Sequence, residues 1–197
     1  STADEVADAE LVARTTRGEL GAFEQLVDRH RPVVVRVAAR IVGTDEAEDV
    51  SQDAFLRAFH RLAHFRGDAP FRSWLLRIAH NAAIDLVARL MCDPGDAVVL
   101  EDPGYWAATQ VLSDHGLRLQ PTPVDAQGLP VPRLSRGQHA PRMAYLTPSN
   151  QFPTGGVMPL ARRLEWLQAE YGEDRYRPSP LLRRVVRDGR SLLSFTA

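Results

Sequence analysis

Only two of the fourteen prolines of this 197-residue chain, Pro32 and Pro70, fall in its first 90 residues. Proline lacks a backbone donor and clashes with the preceding helical turn, so a stretch nearly free of it can be helical throughout and a stretch crowded with it cannot. The chain therefore changes character near residue 90. A single helical bundle over the full length is excluded. The fold expected is mixed. An all-α helical bundle covers 1–90 and a small, incomplete α/β segment with a few parallel strands covers 91–170. A basic C-terminal tail, helical in part, covers 171–197.

In the first part Phe23, Leu26, Val27, Val34, Val37, Ala38 and Ile41 recur at steps of three and four, which is one buried helix face. Pro32 interrupts the run and predicts a kink or a boundary. Gly43 ends it. Thr44 or Asp45 can cap the next helix, with Glu48 placed to close a capping box on Asp45. That helix buries Ala47, Val50, Ala54, Ala58 and Leu62. A loop from Phe65 to Pro70 follows. Asp68 then caps a last helix with Pro70 in its first turn, burying Phe71, Trp74, Leu75, Ile78 and Ala82.

In the second part, Asp93-Pro94-Gly95-Asp96 is a turn and Ala97-Val98-Val99-Leu100 a short buried strand. A helix opened by Pro103-Gly104 runs to about His115 and ends at Gly116. Leu117–Leu119 and Arg142–Leu146 are further strands, and a helix covers about Pro159 to Tyr171. Strands alternating with helices imply a parallel sheet.

Charge limits the chemistry. The net charge is −1, so any nucleic-acid contact must come from a local patch. Residues 1–90 hold twelve arginines against fourteen carboxylates. Residues 169–197 hold six arginines against four carboxylates. There is no lysine; all 24 basic residues are arginine. Schiff-base catalysis by a lysine and a phosphate-loop lysine are thereby excluded. Cys92 is the single cysteine and cannot form an internal disulfide, which fits a cytoplasmic setting. No apolar run reaches membrane-spanning length, and the acidic start lacks a signal-peptide pattern.

Two surfaces remain once the core faces are assigned. Asp45, Asp49 and Asp53 lie four apart, with Glu48 and Gln52 beside them, and stack into one acidic stripe. Like charges at that spacing disfavour an isolated helix, and a basic partner would relieve the cost. A solvated face whose acids suit the helix N-terminus explains the spacing as well. The second surface is the loop and the last helix. Arg66, Arg72 and Arg77 can bind phosphate, and His80 and Asn81 can bond base edges. Phe65 and Phe71 frame the loop and can hold an unstacked base. Exposed arginines on an ordinary helix are the alternative.

The string Ala47-Glu48-Asp49-Val50-Ser51-Gln52-Asp53-Ala54-Phe55-Leu56-Arg57-Ala58, followed by the run from Phe65-Arg66-Gly67-Asp68 to Arg77-Ile78-Ala79-His80-Asn81, resembles region 2 of extracytoplasmic-function RNA polymerase sigma factors. Asp8-Ala9-Glu10-Leu11-Val12 and Ala22-Phe23-Glu24-Gln25-Leu26-Val27 agree with it, so the likeness covers about residues 5–85. It implies that Asp45, Glu48, Asp49, Gln52 and Asp53 face the clamp helices of the polymerase's largest subunit. It also implies that the Phe65–Phe71 loop and the following helix take the non-template strand of the minus-ten promoter element. Such factors usually continue into a basic tail, a linker and a second helical domain. Here Asp85-Leu86-Val87-Ala88-Arg89-Leu90 brings no basic cluster.

From about 83 to 168 the chain resembles a different family. Asp93-Pro94-Gly95-Asp96-Ala97-Val98-Val99-Leu100-Glu101-Asp102-Pro103-Gly104-Tyr105 is similar to fold-type I pyridoxal-phosphate aminotransferases, in particular the aminotransferase-like domains of MocR-type transcription regulators. Tyr145-Leu146-Thr147-Pro148-Ser149-Asn150-Gln151-Phe152-Pro153-Thr154-Gly155 and Leu160-Ala161-Arg162-Arg163-Leu164 match the same group. The likeness implies that Tyr105 lies near the cofactor ring and that Asn150 to Gly155 line its pocket; packing in a turn-rich fragment is the other reading of Tyr105 and Phe152. The cofactor needs a lysine for its internal aldimine. With none available, no cofactor and no catalytic residue are expected. The tail from Tyr176 to Arg190 resembles the C-terminal domain of 3-hydroxyacyl-CoA dehydrogenases; a basic helix exposing Arg183, Arg184, Arg187 and Arg190 is the plain alternative.

The chain reads as a composite whose joins fall where the families' local sequences nearly coincide. The function expected is that of a transcription-initiation module working through residues 1–90, not an enzyme. Core RNA polymerase and single-stranded minus-ten promoter DNA are its expected partners, an anti-sigma factor is a further candidate, and no membrane or metal is involved. The alternative is a non-catalytic aminotransferase-like fragment, or a composite with no native activity.

Overall fold

The computed structural model describes residues 2–131, 141–149, 151 and 153–175. Asn150, Phe152 and the tail from Tyr176 onward lie outside the described residues. Two units are present. One takes residues up to 93 together with 110–115, and the other takes 94–109 and the described residues from 116 on.

The first unit is helical. It comprises α1 (Thr2–Thr16), α2 (Leu20–Val42), α3 (Ala47–Arg61), a single 3-10 turn at Leu62–His64, and α4 (Phe71–Met91). On α2 the buried residues are Ala22, Leu26, His30, Val34 and Ala38, a run with a constant step of four. They pack against Val50, Ala54, Phe55 and Ala58 of α3 and Phe71, Leu75, Ile78 and Ala82 of α4. Alanines recur at these contacts, so the backbones approach closely while Leu26, Val34 and Leu75 fill the space between. Each large aliphatic side chain buried in this way stabilises the bundle by about 1.5–3 kcal/mol.

Three local expectations are corrected. Pro32 marks no boundary: α2 runs through it. Proline inside a helix costs about 3 kcal/mol. Here the buried residues on either side of Pro32 belong to one continuous stripe, and Pro32 itself points outward. Burial of the whole stripe offsets the local cost. Neither Asp45 nor Thr44 caps α3. Glu46 occupies the cap position without a side-chain hydrogen bond, and Glu48 pairs with Arg31 of α2 instead of turning back to Asp45. Asp68 does not cap α4 either. Pro70 holds that position, and its carbonyl accepts from the Ser73 and Trp74 N–H groups. Gly43 ends α2 as expected, at φ 89°, a conformation a side chain would strain.

The second unit carries a three-stranded sheet in the order β2-β1-β3, built from β1 (Ala97–Asp102), β2 (Arg118–Pro123) and β3 (Met143–Tyr145). Both pairings are parallel, with Val98 opposite Leu119 on one side and Met143 on the other. Central β1 is buried from Ala97 to Glu101, as a strand covered on both faces must be. Helix α5 (Trp106–Asp114) connects β1 to β2, and α6 (Leu160–Arg175) follows β3. Val99, Leu129 and Met158 form a small core, and the Trp166 indole donates to the Leu129 carbonyl at 2.9 Å. The small parallel α/β segment read from the sequence is present. Three elements run past the expected ends, with β1 reaching Asp102, β2 Pro123 and α6 Arg175, whereas α5 starts only at Trp106 and β3 keeps only Met143–Tyr145.

Candidate functional site

The acidic residues occupy the N-terminal half of α3 and the bend before it. Asp45 precedes the helix, so the stripe on α3 itself is Glu48, Asp49, Gln52 and Asp53. Two of these acids are already engaged. Glu48 accepts from Arg31 Nη2 at 2.9 Å, and Asp53 pairs with Arg57 at 2.7 Å. Asp49 is exposed and has no ion pair among the described residues. Beside this face lies an open groove of about 520 Å3 between α2 and α3. Leu20, Phe23, Val27, Phe55, Leu56 and Phe59 supply its apolar lining. Leu20 is 62% exposed and Leu56 60%, so both leave apolar surface open in the groove. Glu24, Arg31, Ser51 and Gln52 supply its polar rim, and an apolar groove near the acids of α3 fits an amphipathic partner.

The loop and α4 form a second surface. Phe65 stands edge-on to Phe71, with centroids 5.9 Å apart, and lies 5.1 Å from Trp74. Phe71 and Trp74 are 5.7 Å apart, so the three rings make one cluster. Phe71 is buried and forms its floor, while Phe65 and Trp74 are half-buried and keep part of each ring open. Gly67 turns the loop at φ 76°. Arg66, Arg72 and Arg77 are exposed, whereas His80 and Asn81 are half-buried. Burial pushes His80 below the ordinary imidazole range, so it is neutral at pH 7 and offers one donor and one acceptor.

Two polar networks went beyond what sequence reasoning identified. Asp8 of α1 is 3% exposed and meets Arg29 Nη1 at 2.7 Å and His30 Nε2 at 2.9 Å. Arg57 of α3 joins Asp53 to Asp85 of α4. One signal for the first was available: His30 shares the step-of-four run with Leu26, Val34 and Ala38, so it had to be buried and needed a partner.

In the second unit Glu101 is buried at the end of β1 and accepts from the Thr147 N–H at 3.2 Å and its hydroxyl at 2.5 Å. Gln151 donates to the Pro103 carbonyl at 2.6 Å and accepts from the Thr154 hydroxyl. These groups border a cavity of about 280 Å3 with Asp125, Gly128 and Met158. Burial, reinforced by the charges of Tyr105 and Glu101, raises the Tyr145 phenol well above its ordinary range, so it stays protonated. Pyridoxal phosphate does not fit this donor set. No lysine exists to carry it, and the polar side chains named here are taken up with one another. Among the described residues no group of three metal-ligating side chains is assembled, and no helix is long and apolar enough to cross a membrane.

Residues 26–91, from α2 to the end of α4, match the family model of sigma-70 region 2. Through its helical unit the chain is similar to sigma-70 region 2. It is 39% identical over 109 residues to the RNA polymerase sigma-H factor of Pseudomonas aeruginosa, covering 54% of this chain and 56% of that protein. A solved structure of an engineered region 2 of sigmaE in complex with GTAAAA is 35% identical, with a TM-score of 0.41, and covers 42% of this chain and 86% of that one. A different relative is the probable rhizopine catabolism regulatory protein MocR of Rhizobium meliloti, 35% identical over 124 residues, which are 56% of this chain and 25% of that protein. Stretches similar to sigma-70 region 2 and to the MocR protein thus stand in one composite chain. It spans about half the length of the curated sigma factor and a quarter of the curated MocR protein.

Proposed function

We propose that the helical unit acts as a transcription-initiation module, docking on core RNA polymerase through α3 and holding single-stranded minus-ten promoter DNA at the loop before α4. The observation that carries the reading is the placement of two different surfaces on one sigma-70 region 2 bundle. Gln52 lines an apolar groove on α2 and α3, and exposed, acidic Asp49 lies one turn before it on α3. The Phe65–Phe71–Trp74 ring cluster sits beside exposed Arg66, Arg72 and Arg77 at the start of α4. The first surface suits a basic helical partner. The second suits bases stacked on rings with phosphates held by arginine.

On the docking face Asp49 and Gln52 make the direct polar contacts. Glu48 and Asp53 extend the negative field while bound to Arg31 and Arg57, and Asp45 adds to it from the preceding bend. On the DNA face Phe65 offers the stacking ring and Phe71 supports it from below. Arg66, Arg72 and Arg77 neutralise phosphates, and His80 and Asn81 line the half-buried side of α4. An anti-sigma factor that competes with polymerase would cover the same α2–α3 groove. In this role the chain works in the cytoplasm and carries out no catalysis.

Co-elution with core RNA polymerase tests the proposal. The full chain is expected to travel with core enzyme on size exclusion, and the pair to bind a minus-ten oligonucleotide better than a scrambled one. A chain that never leaves the free fraction would remove the docking claim.

A further inference from the structure

Asp8 and His30 are among the few polar side chains buried in the helical unit, and they bury each other. The pair does more than close α1 onto α2. The His30 ring lies 5.5 Å from the Phe71 ring, tilted by 54°. Phe71 is the floor of the ring cluster, touching Phe65 at 5.9 Å and Trp74 at 5.7 Å. A chain of contacts therefore runs from Asp8 of α1 through His30 of α2 to Phe71 at the head of α4. Asp8 cannot turn away, because its other oxygen is held by Arg29 at 2.7 Å.

We propose that Asp8 and His30 are positioning residues for promoter reading, fixing the Phe71 floor so that the ring of Phe65 meets an unstacked base in one orientation. The inference rests on the promoter-binding role proposed above. Buried donors and acceptors must be satisfied, so the Asp8 carboxylate fixes how the imidazole lies. The imidazole in turn limits the tilt of Phe71, since aromatic pairs have preferred edge and offset geometries. Sequence preference at a stacking site depends on that geometry, whereas attraction to phosphate does not. The first helix thereby shares in specificity.

The test is fluorescence anisotropy of the full chain, alone and with core polymerase, on promoter and scrambled single strands. Asp8→Asn, His30→Gln and Thr15→Val are compared with the parent. His30→Gln keeps a donor for Asp8 but removes the ring. Thr15→Val breaks a different buried bond of α1, from the Thr15 hydroxyl to the Leu11 carbonyl at 2.8 Å, without touching His30. It reports what simple loosening of α1 does. Melting curves accompany each variant, and binding is read well below every melting temperature. The promoter-to-scrambled ratio is expected to fall about two- to tenfold for Asp8→Asn and His30→Gln, the range to which one aromatic pair corresponds. It should hold for Thr15→Val, and affinity for the scrambled strand should stay constant throughout. An unchanged ratio in the first two variants, with a discriminating parent, overturns this inference alone. A ratio that falls in all three in step with lost thermal stability also overturns it. A parent that does not discriminate overturns the promoter-reading role beneath it.

Discussion

Arg57 Nη2 lies 2.7 Å from Asp85 Oδ2, which ties α3 to α4 across 28 residues of sequence. The same guanidinium also holds Asp53, so one arginine joins the acidic face of α3 to α4. Burial pushes the Asp85 carboxyl up. Hydrogen bonds from Arg57 and His115 and the charges of Arg57 and Arg89 outweigh it, and the net shift is downward. A carboxylate lowered on folding adds stability above its unfolded value, near pH 4, and loses it as pH falls through the folded value. Asp85→Asn should therefore cost about 1–2 kcal/mol at pH 7, the range for a charge-assisted bond that is partly solvent-screened. The gap from the parent should close as pH drops below about 4. Urea unfolding followed by helical ellipticity at pH 7 and pH 3 measures both. A gap that persists undiminished at pH 3 would mean that Asp85 contributes by packing and not by charge.

Docking should depend most on Asp49. It is the acid on α3 that has no ion pair among the described residues, so reversing its charge leaves the fold's own pairs intact. Asp49→Arg is expected to weaken retention on core polymerase by on the order of tenfold or more, with an unchanged melting temperature. Asp53→Arg should weaken retention too, but with a lower melting temperature, because it places a like charge beside Arg57. Retention unaltered by both reversals would dismiss α3 as the docking face.

Added pyridoxal phosphate should give no imine absorbance beyond that of the terminal amine, since a chain without lysine has no other primary amine. Tyr145 offers no substitute nucleophile, as its phenol is held protonated. Absorbance titration followed by borohydride reduction and peptide mapping checks this. A stoichiometric adduct within residues 91–197 would be incompatible with it.

The elements were largely readable because each carried its own period. Leu26, Val34 and Ala38 announced α2, and the run Ala97–Leu100 announced β1. The starts of α3 and α4 were misread, because Asp45 and Asp68 are good capping residues that lie one or two positions too early. Local preference is worth about 1 kcal/mol there, and the helix–helix packing outweighs it. The exposed acids and arginines could be named from spacing and resemblance. That Glu48 is tied up by Arg31 could not, since Arg31 lies 17 residues away on another helix, whereas the Asp53–Arg57 pair follows the i,i+4 spacing of one helix. The Asp8–His30 pair was missed for a similar reason, with partners 22 residues apart that only the packed bundle brings together.

Binding of single-stranded DNA should separate into a charge part and a reading part. Arg77 is exposed on α4, so Arg77→Ala should weaken promoter and scrambled strands alike. The logarithmic salt slope should drop by about 0.7 for the one phosphate released. His80 should add nothing to that slope at pH 7, because burial keeps it neutral. The loop should behave in the opposite way. Gly67 sits at φ 76°, where a side chain is strained, so Gly67→Val should displace Phe65 and flatten the preference for promoter sequence. Stacking on a ring is worth about 1–3 kcal/mol per base, so losing one base's selection should bring the two strands to within a few-fold of each other. Anisotropy at several salt concentrations gives slope and preference from one data set. A loop variant that keeps the full preference, or an Arg77→Ala variant that selectively loses it, would reverse the roles assigned to the two surfaces.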